Sequence, residues 1–163
     1  MRLEQRVRRL EHREKLKELR YDYGICIDHQ RFDDFVALFT ADATCTYEGV
    51  GTFEGHDDLR ELAEDFIAAN FEYSCHYFHH PRLDIDGDTA TGTWLLEALM
   101  AYDDGRMEWR QGRYEDTYRL VDGEWKFSSI TLRSEAQGYD DYEMVDHDAY
   151  GRIPRIGGAT GDS

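Results

Sequence analysis

The sequence predicts an α+β fold in which N-terminal helices pack on one face of a strongly curved antiparallel β-sheet. Apolar residues recur every three or four positions in residues 1–27, which is the period of an α-helix. From residue 73 the period changes to two, which is typical of β-strands. Asp-Gly pairs near residues 86, 104 and 122 separate these alternating segments, and such pairs favour hairpin turns. Helices followed by a four-stranded meander are the layout of an α+β domain.

The individual elements follow from the same patterns. We expect a helix over residues 1–27, although its apolar pattern slips by two positions between Leu10 and Leu16 and leaves a break or rotation open there. A helix over 33–39, a strand over 44–47, a turn region over 49–55 and a helix over 56–69 come next, before strands at 73–85, 89–102, 107–121 and 124–133. The prediction is one domain over residues 1–133, with a basic helical extension at 1–20 and an acidic tail or pocket flap at 134–163.

The charge is strongly acidic and unevenly distributed. The 163 residues contain 19 Lys and Arg and 35 Asp and Glu, for a net charge of −16, yet residues 1–20 hold eight basic and four acidic side chains. A chain this acidic repels phosphates, so we expect no nucleic-acid partner.

No apolar run approaches the roughly 18 residues of a membrane helix, and no signal core follows Met1, so we expect a cytoplasmic protein without a membrane partner. Three cysteines without a CxxC motif indicate buried thiols rather than a disulfide or zinc-thiolate site.

Asp28 and His76 are the first candidates for chemistry. Asp28 directly follows the apolar residues 25–27, an unusual place for a carboxylate that nothing pairs with; a helix cap or a solvated position is the alternative. Strand alternation places His76, Phe78 and His80 on one face, where a histidine is also an ordinary core or interface residue. Two histidines and Asp28 could in principle form a metal site. Because no further ligand is evident, we expect no metal.

Three segments carry a resemblance to a known family. They run YGICIDHQRFDDFVALFTADA from Tyr23, HYFHHPRLDIDGDTA from His76 and GRYEDTYRLVDGEWKF from Gly112. Over about residues 10–133 the chain resembles the SnoaL-like branch of the nuclear-transport-factor-2-like superfamily. That resemblance implies a cone-shaped sheet covered by helices. It does not give the reaction, because the superfamily includes dehydratases, isomerases, cyclases and proteins that are not enzymes.

Within the superfamily, the motifs are most similar to those of scytalone dehydratase and bile-acid 7α-dehydratase. Similarity to the first implies an aspartate at the end of the long helix, a tyrosine on the first strand and a histidine on a later strand, at Asp28, Tyr47 and His76. Similarity to the second implies a role for Tyr23, five residues before Asp28. Tyr23 lies about 140° around the helix from Asp28, whereas Tyr21 lies on the same face, so either tyrosine could reach a pocket at the helix end.

The resemblance and strand alternation together predict the residues that line the pocket. They are Phe78, His80, Trp94, Met100, Tyr114 and Asp116. The chain also departs from scytalone dehydratase, because Ile27 stands where that family has a tyrosine and Met100 stands near the place of a second pocket histidine. The substrate of that enzyme is therefore not implied.

The resemblance to the dehydratases, together with these residues, implies a cofactor-independent lyase: a dehydratase for a small hydrophobic, hydroxylated carbonyl compound. Loss of water needs a base and an acid, and one histidine oriented by a carboxylate can serve as both in turn. Tyr47 and Tyr23 would donate hydrogen bonds to the substrate carbonyl. The alternatives are an isomerase using the same pocket, a non-catalytic ligand-binding or assembly module, and a small subunit of a multicomponent oxygenase.

One strand also predicts self-association. Leu95, Leu99 and Ala101 make the second face of the strand over 89–102 apolar, apart from Glu97. A sheet that is apolar on both faces needs a second cover. A homo-oligomer would supply that cover; the dehydratase resemblance implies a trimer, and dimers occur elsewhere in the superfamily.

Overall fold

The computed structural model describes residues 2–140 and opens with one long helix. Helix α1 spans Leu3–Asp28 without the break that the slip in the apolar pattern left open. Its buried residues begin at Leu16, while Leu3, Val7 and Leu10 are exposed. The slip therefore marks the point where α1 reaches the body of the protein. Helix α2, Phe32–Ala37, follows.

The segment between α2 and the meander contains more regular structure than the sequence predicts. Strand β1 covers Phe39–Tyr47, and β2, Gly51–Glu54, lies in the expected turn region, where it pairs antiparallel with β1. The third predicted helix divides into α3, Gly55–Glu61, a π-helical segment, Leu62–Ile67, and the single turn α4, Ala68–Asn70. Wide π-helical turns occur often at functional sites, and this one forms part of a cavity wall described below.

The four-stranded meander is present and its last strand is longer than predicted. Strands β3, β4, β5 and β6 span Phe71–Asp86, Thr89–Tyr102, Met107–Val121 and Glu124–Asp140. Residues 134–140 continue β6, paired with the start of β5, rather than beginning a tail. The remaining residues of the predicted tail or flap, 141–163, lie outside the described part.

The strands form one curved, mixed sheet in the order β2-β1-β6-β5-β4-β3. All neighbours are antiparallel except β1 and β6, which run parallel. The C-terminal half of α1 packs on the inner face, most closely at Gly24, where a Cβ atom would lie 2.8 Å from the Phe78 ring. The structure thus has the predicted fold class, N-terminal helices on a curved and mainly antiparallel sheet.

The other face of the sheet carries exposed apolar side chains. Leu95 and Leu99 are each 41% exposed, and Tyr77 and Trp109 on the neighbouring strands are also exposed. Ala101, expected on the same face, is buried. The three cysteines are free thiols, and no helix within residues 2–140 is long and apolar enough to cross a membrane.

Candidate active site

A cavity of about 110 Å³ lies between the end of α1, the π-helical segment and the inner face of the sheet. Its apolar lining comes from Ile27, Val50, Leu62, Phe66, Ile67, Phe71, Met100 and Leu132. Its polar lining consists of Tyr23, Tyr47, Ser74, His76, Tyr102, Arg110 and Tyr114. A mostly apolar pocket with a few polar groups is the usual form of a small-molecule site.

Asp28 and His76 are in direct contact at this cavity. Asp28 is the last residue of α1, and His76 Nδ1 lies 2.6 Å from its Oδ1 atom. The His76 backbone N–H donates to Oδ2 at 2.9 Å, and Ser74 Oγ donates to Oδ1 at 2.8 Å. A carboxylate only accepts hydrogen bonds, so this geometry places the proton of a neutral imidazole on Nδ1 and leaves Nε2 as the basic nitrogen.

Electrostatics favour the ionised form of Asp28. Partial burial alone would raise the pKa of this carboxyl group, but the hydrogen bonds from the His76 ring and backbone and from Ser74 hold the pKa below its ordinary value. The side chains of Asp28 and His76 are only 15% and 13% exposed. The pair is thus a charged acceptor and a histidine held in a largely desolvated place.

Three buried tyrosines form a hydrogen-bonded cluster in the same cavity. Tyr23 Oη donates to Tyr47 Oη at 3.1 Å and lies 3.4 Å from Tyr114 Oη. Burial raises the pKa of all three phenols, so they remain protonated donors at neutral pH. Tyr21, the alternative to Tyr23, is exposed and does not line the cavity.

A buried ion pair lies beneath the tyrosines. Arg20 and Asp116 are both fully buried and in contact, and Tyr118 Oη donates to Asp116 at 2.6 Å. The Arg20 guanidinium lies 4.3 Å from the centre of the Tyr114 ring and 4.7 Å from that of Tyr23. Burial opposes the charge of Arg20, but Asp116 and the surrounding phenols outweigh this and raise its pKa. Asp116 therefore neutralises a buried cation. The sequence predicted that it lines the pocket, and the structure does not place it in the cavity lining.

Three other residues predicted to line the pocket also lie elsewhere. Phe78 is partly buried and packs edge-on against Tyr23 and Tyr114. Trp94 is fully buried and donates from Nε1 to Tyr118 Oη at 3.0 Å. His80 is exposed because the strand bulges there, with a φ of 51°, and the bulge ends the alternation on which the prediction depended. Met100 and Tyr114 do line the cavity.

Sequence reasoning missed several polar residues of the site. Ser74 precedes His76 by two positions and so shares its face of the strand. Arg110 shares the inner face of β5 with the predicted Tyr114. Arg20 was counted with the basic extension, although it is four residues from Leu16 and three from Tyr23, on the buried face of α1. Helical and strand periodicity carried a signal for all three.

The N-terminal helices on one curved sheet form the nuclear-transport-factor-2-like fold. The chain matches the sequence profile of the SnoaL-like domain over residues 8–131. It belongs to the SnoaL-like family. Within residues 2–140 no group of three or more His, Cys, Asp or Glu side chains is arranged to hold a metal ion.

Two curated relatives illustrate the range of the family. An uncharacterised protein of Mycobacterium tuberculosis is 31% identical over 102 residues, which cover 63% of this chain and 69% of that protein. The gamma-hexachlorocyclohexane dehydrochlorinase of Sphingobium indicum is 28% identical over 122 residues, which cover 74% of this chain and 78% of the enzyme.

Solved structures have the same fold. A hexachlorocyclohexane dehydrochlorinase of type 2 superposes with a TM-score of 0.81 at 23% identity, covering 86% of this chain and 97% of the other. A protein of Novosphingobium aromaticivorans with the provisional name scytalone dehydratase superposes with a TM-score of 0.75 at 25% identity, covering 83% and 91%. Proteins named as a dehydrochlorinase and, provisionally, as a dehydratase are thus among the similar proteins.

Proposed function

We propose that this protein is a cofactor-independent lyase, a dehydratase that acts on a small hydrophobic, hydroxylated carbonyl compound. The observation that carries the proposal is the 2.6 Å contact between His76 Nδ1 and Asp28 at a cavity that His76 lines. A non-catalytic binder has no need to combine a desolvated carboxylate with a histidine whose second nitrogen remains basic.

The reaction follows from the positions of the proton donors and acceptors. His76 Nε2 removes the proton from the carbon next to the carbonyl, and the electrons of that C–H bond pass to the carbonyl oxygen as an enolate. A phenol of the Tyr23, Tyr47 and Tyr114 cluster donates a hydrogen bond to that oxygen. The electrons then return to form the carbon–carbon double bond as the carbon–oxygen bond to the hydroxyl group breaks. The imidazolium gives its proton to the departing hydroxyl, and water leaves.

The similar proteins support an elimination. A dehydrochlorinase and a protein provisionally named as a dehydratase share the fold, and both names describe removal of a small molecule from neighbouring carbons. The buried phenols favour an oxygen-containing substrate, since they offer donors to a carbonyl group. An isomerase would begin with the same proton abstraction and return the proton to a different carbon.

Activity measurements on matched variants test the proposal. We would assay a panel of cyclic β-hydroxy ketones by the absorbance of the conjugated enone produced. His76→Ala and Asp28→Asn should each lower kcat/KM by about 10² to 10⁴-fold, the range for loss of general acid–base catalysis. His79→Ala removes an exposed histidine of the same strand and should leave activity unchanged.

A second measurement does not depend on finding the substrate. In ¹⁵N NMR of the imidazole, wild-type protein should show the His76 proton on Nδ1, and Asp28→Asn should redistribute it between the two nitrogens, because the amide can donate as well as accept.

Full activity in His76→Ala would contradict the mechanism. Tight binding of the panel without turnover would indicate the ligand-binding alternative.

A further inference from the structure

We propose that Arg110 orients the substrate by donating a hydrogen bond to a second, uncharged oxygen acceptor on a compact ring compound. This inference depends on the proposed function for one point, the position of the reacting carbon. It adds a substrate class: a compact ring with one carbonyl oxygen at the tyrosine cluster and a neutral oxygen substituent at Arg110.

The register of the sheet places Arg110 opposite His76. His76 on β3 pairs with Ala98 on β4, and Ala98 pairs with Arg110 on β5. Both His76 and Arg110 line the cavity. Neighbouring strands are about 4.8 Å apart, so the two Cα atoms are roughly 10 Å from each other. Ala98, which lies between them in register, carries only a methyl group, so no longer side chain of β4 separates them there.

Glu108 holds the Arg110 guanidinium in place through two of its three nitrogens. Its Nε donates to Glu108 at 2.9 Å, and Nη2 lies 2.6 Å from the same carboxylate oxygen. Tyr102 Oη donates to the other oxygen of Glu108 at 2.5 Å. Within residues 2–140, Nη1 has no hydrogen-bond partner, and the Arg110 side chain is 20% exposed. The guanidinium is therefore fixed by Glu108, and Nη1 remains as a donor without a partner among residues 2–140, in a side chain that lines the cavity.

The local charge favours a neutral acceptor over an anion. Glu108 is fully buried and balances the charge of Arg110, and Asp28 contributes a further negative charge at the cavity. A carboxylate on the substrate would meet these two anions with one cation already paired, whereas a keto oxygen needs only a donor. Phe66, Phe71 and Tyr102 supply flat apolar walls that suit a ring.

Binding of three probes of matched shape tests this assignment. The probes are 1,4-diacetylbenzene, with two keto oxygens, 4-ethylacetophenone, with one, and 4-acetylbenzoate, with an anion in place of the second ketone. In NMR titrations of wild-type protein, 1,4-diacetylbenzene should bind roughly tenfold more tightly than 4-ethylacetophenone, as expected for one hydrogen bond to a charged donor. It should also bind at least as tightly as 4-acetylbenzoate.

Variants locate that preference at Arg110. Arg110→Met combined with Glu108→Gln avoids leaving a buried charge unpaired and should abolish the tenfold preference while 4-ethylacetophenone binds as before. Arg113→Met removes an arginine that pairs with the exposed Glu135 instead of lining the cavity, and should preserve the preference. Glu108→Gln alone should shift the preference towards 4-acetylbenzoate.

Several results would overturn the inference. They are equal affinity for the two neutral probes in wild-type protein, a preference that survives loss of Arg110, tighter binding of 4-acetylbenzoate by wild type, or binding of none of the probes. His76→Ala should keep the preference, because the binding test requires no turnover. A protein with the preference but without lyase activity would thus refute the proposed function and leave this inference standing.

Discussion

At the scale of single residues, Asp28 shows how one carboxylate can serve both stability and chemistry. It ends the long helix and accepts three hydrogen bonds from two residues of β3, so it ties α1 to the sheet at the place where the cavity begins. The same contacts select the His76 tautomer. Removing the carboxylate should therefore weaken the fold as well as the proposed reaction.

The pKa of Asp28 gives that stabilising effect a pH dependence. The folded-state pKa of Asp28 lies below the ordinary value of 3.8, so the unfolded chain binds more protons near that pH. The stability that the Asp28 carboxylate contributes is therefore present above pH 3.8. It is lost as pH falls through the folded-state value. We expect Asp28→Asn to lower the free energy of unfolding by about 1.5–3 kcal/mol at pH 7, by loss of charged hydrogen bonds. The difference from wild type should shrink as pH falls from 5 to 3.

Urea unfolding at several pH values measures this difference. Asp84→Asn, which neutralises a carboxylate whose side chain is 86% exposed, controls for the general loss of negative charge. A destabilisation by Asp28→Asn that is the same at pH 7 and pH 3 would show that the charge of Asp28 does not contribute.

The candidate pair of the site came from the family resemblance, because the local patterns at Asp28 and His76 each left a structural alternative open. Asp28, after three apolar residues, and His76, on an alternating strand, could be proposed as a pair, and the structure brings them together. Helical spacing places Arg20 on the buried face of α1, but it does not reveal the partner Asp116, which the fold brings from β5. Sequence spacing along one element does not contain that information.

At the scale of elements, the contact between α1 and β3 depends on the absence of a side chain at Gly24. A Cβ atom there would lie 2.8 Å from the Phe78 ring and 3.6 Å from His76 Cβ. We expect Gly24→Ala to destabilise the protein by about 1–3 kcal/mol through overpacking, although alanine is the better helix former by about 1 kcal/mol. It should also lower activity, because relief of the clash with Phe78 shifts α1, which carries Asp28, against β3, which carries His76.

Thermal and urea unfolding test this expectation. Glu11→Gly, at an exposed position of the same helix, measures the helix propensity of glycine without any packing change. If Gly24→Ala instead stabilises the protein by an amount similar to the cost of Glu11→Gly, then propensity dominates and the close approach is not needed.

Elements with strong local signals could be predicted, and those formed by pairing across the sheet could not. The hairpins of the meander follow from Asp-Gly turns, and β4 and β5 have the predicted bounds. Strand β2 was not predicted, because its residues lie in a glycine-rich turn region and form a strand through their pairing with β1. The end of β6 was placed too early because residues 134–140 are polar and extend the strand by pairing with β5.

At the scale of the whole molecule, the exposed face of the sheet is the feature that a single chain leaves uncovered. Leu99 pairs in register with Trp109 on one side and with Cys75 on the other, and Leu95 lies four residues along the same strand, beyond Glu97. The exposed Leu95, Leu99 and Trp109 form an apolar row on the face opposite the cavity, with Glu97 between the two leucines. Such contiguous rows often mark protein–protein contacts.

We therefore propose that the protein is a homo-oligomer, a trimer or a dimer, which buries this row between copies. Sedimentation velocity of the wild-type protein should give the mass of two or three protomers. The double variant Leu99→Lys and Trp109→Lys should sediment as a monomer, because burying two unpaired ammonium groups costs more than an apolar contact returns. Leu10→Lys, at an exposed leucine of α1, adds a positive charge away from the row and should keep the wild-type mass. A wild-type protein that remains monomeric at high micromolar concentration, or a double variant that remains oligomeric, would show that the row is not the contact between copies.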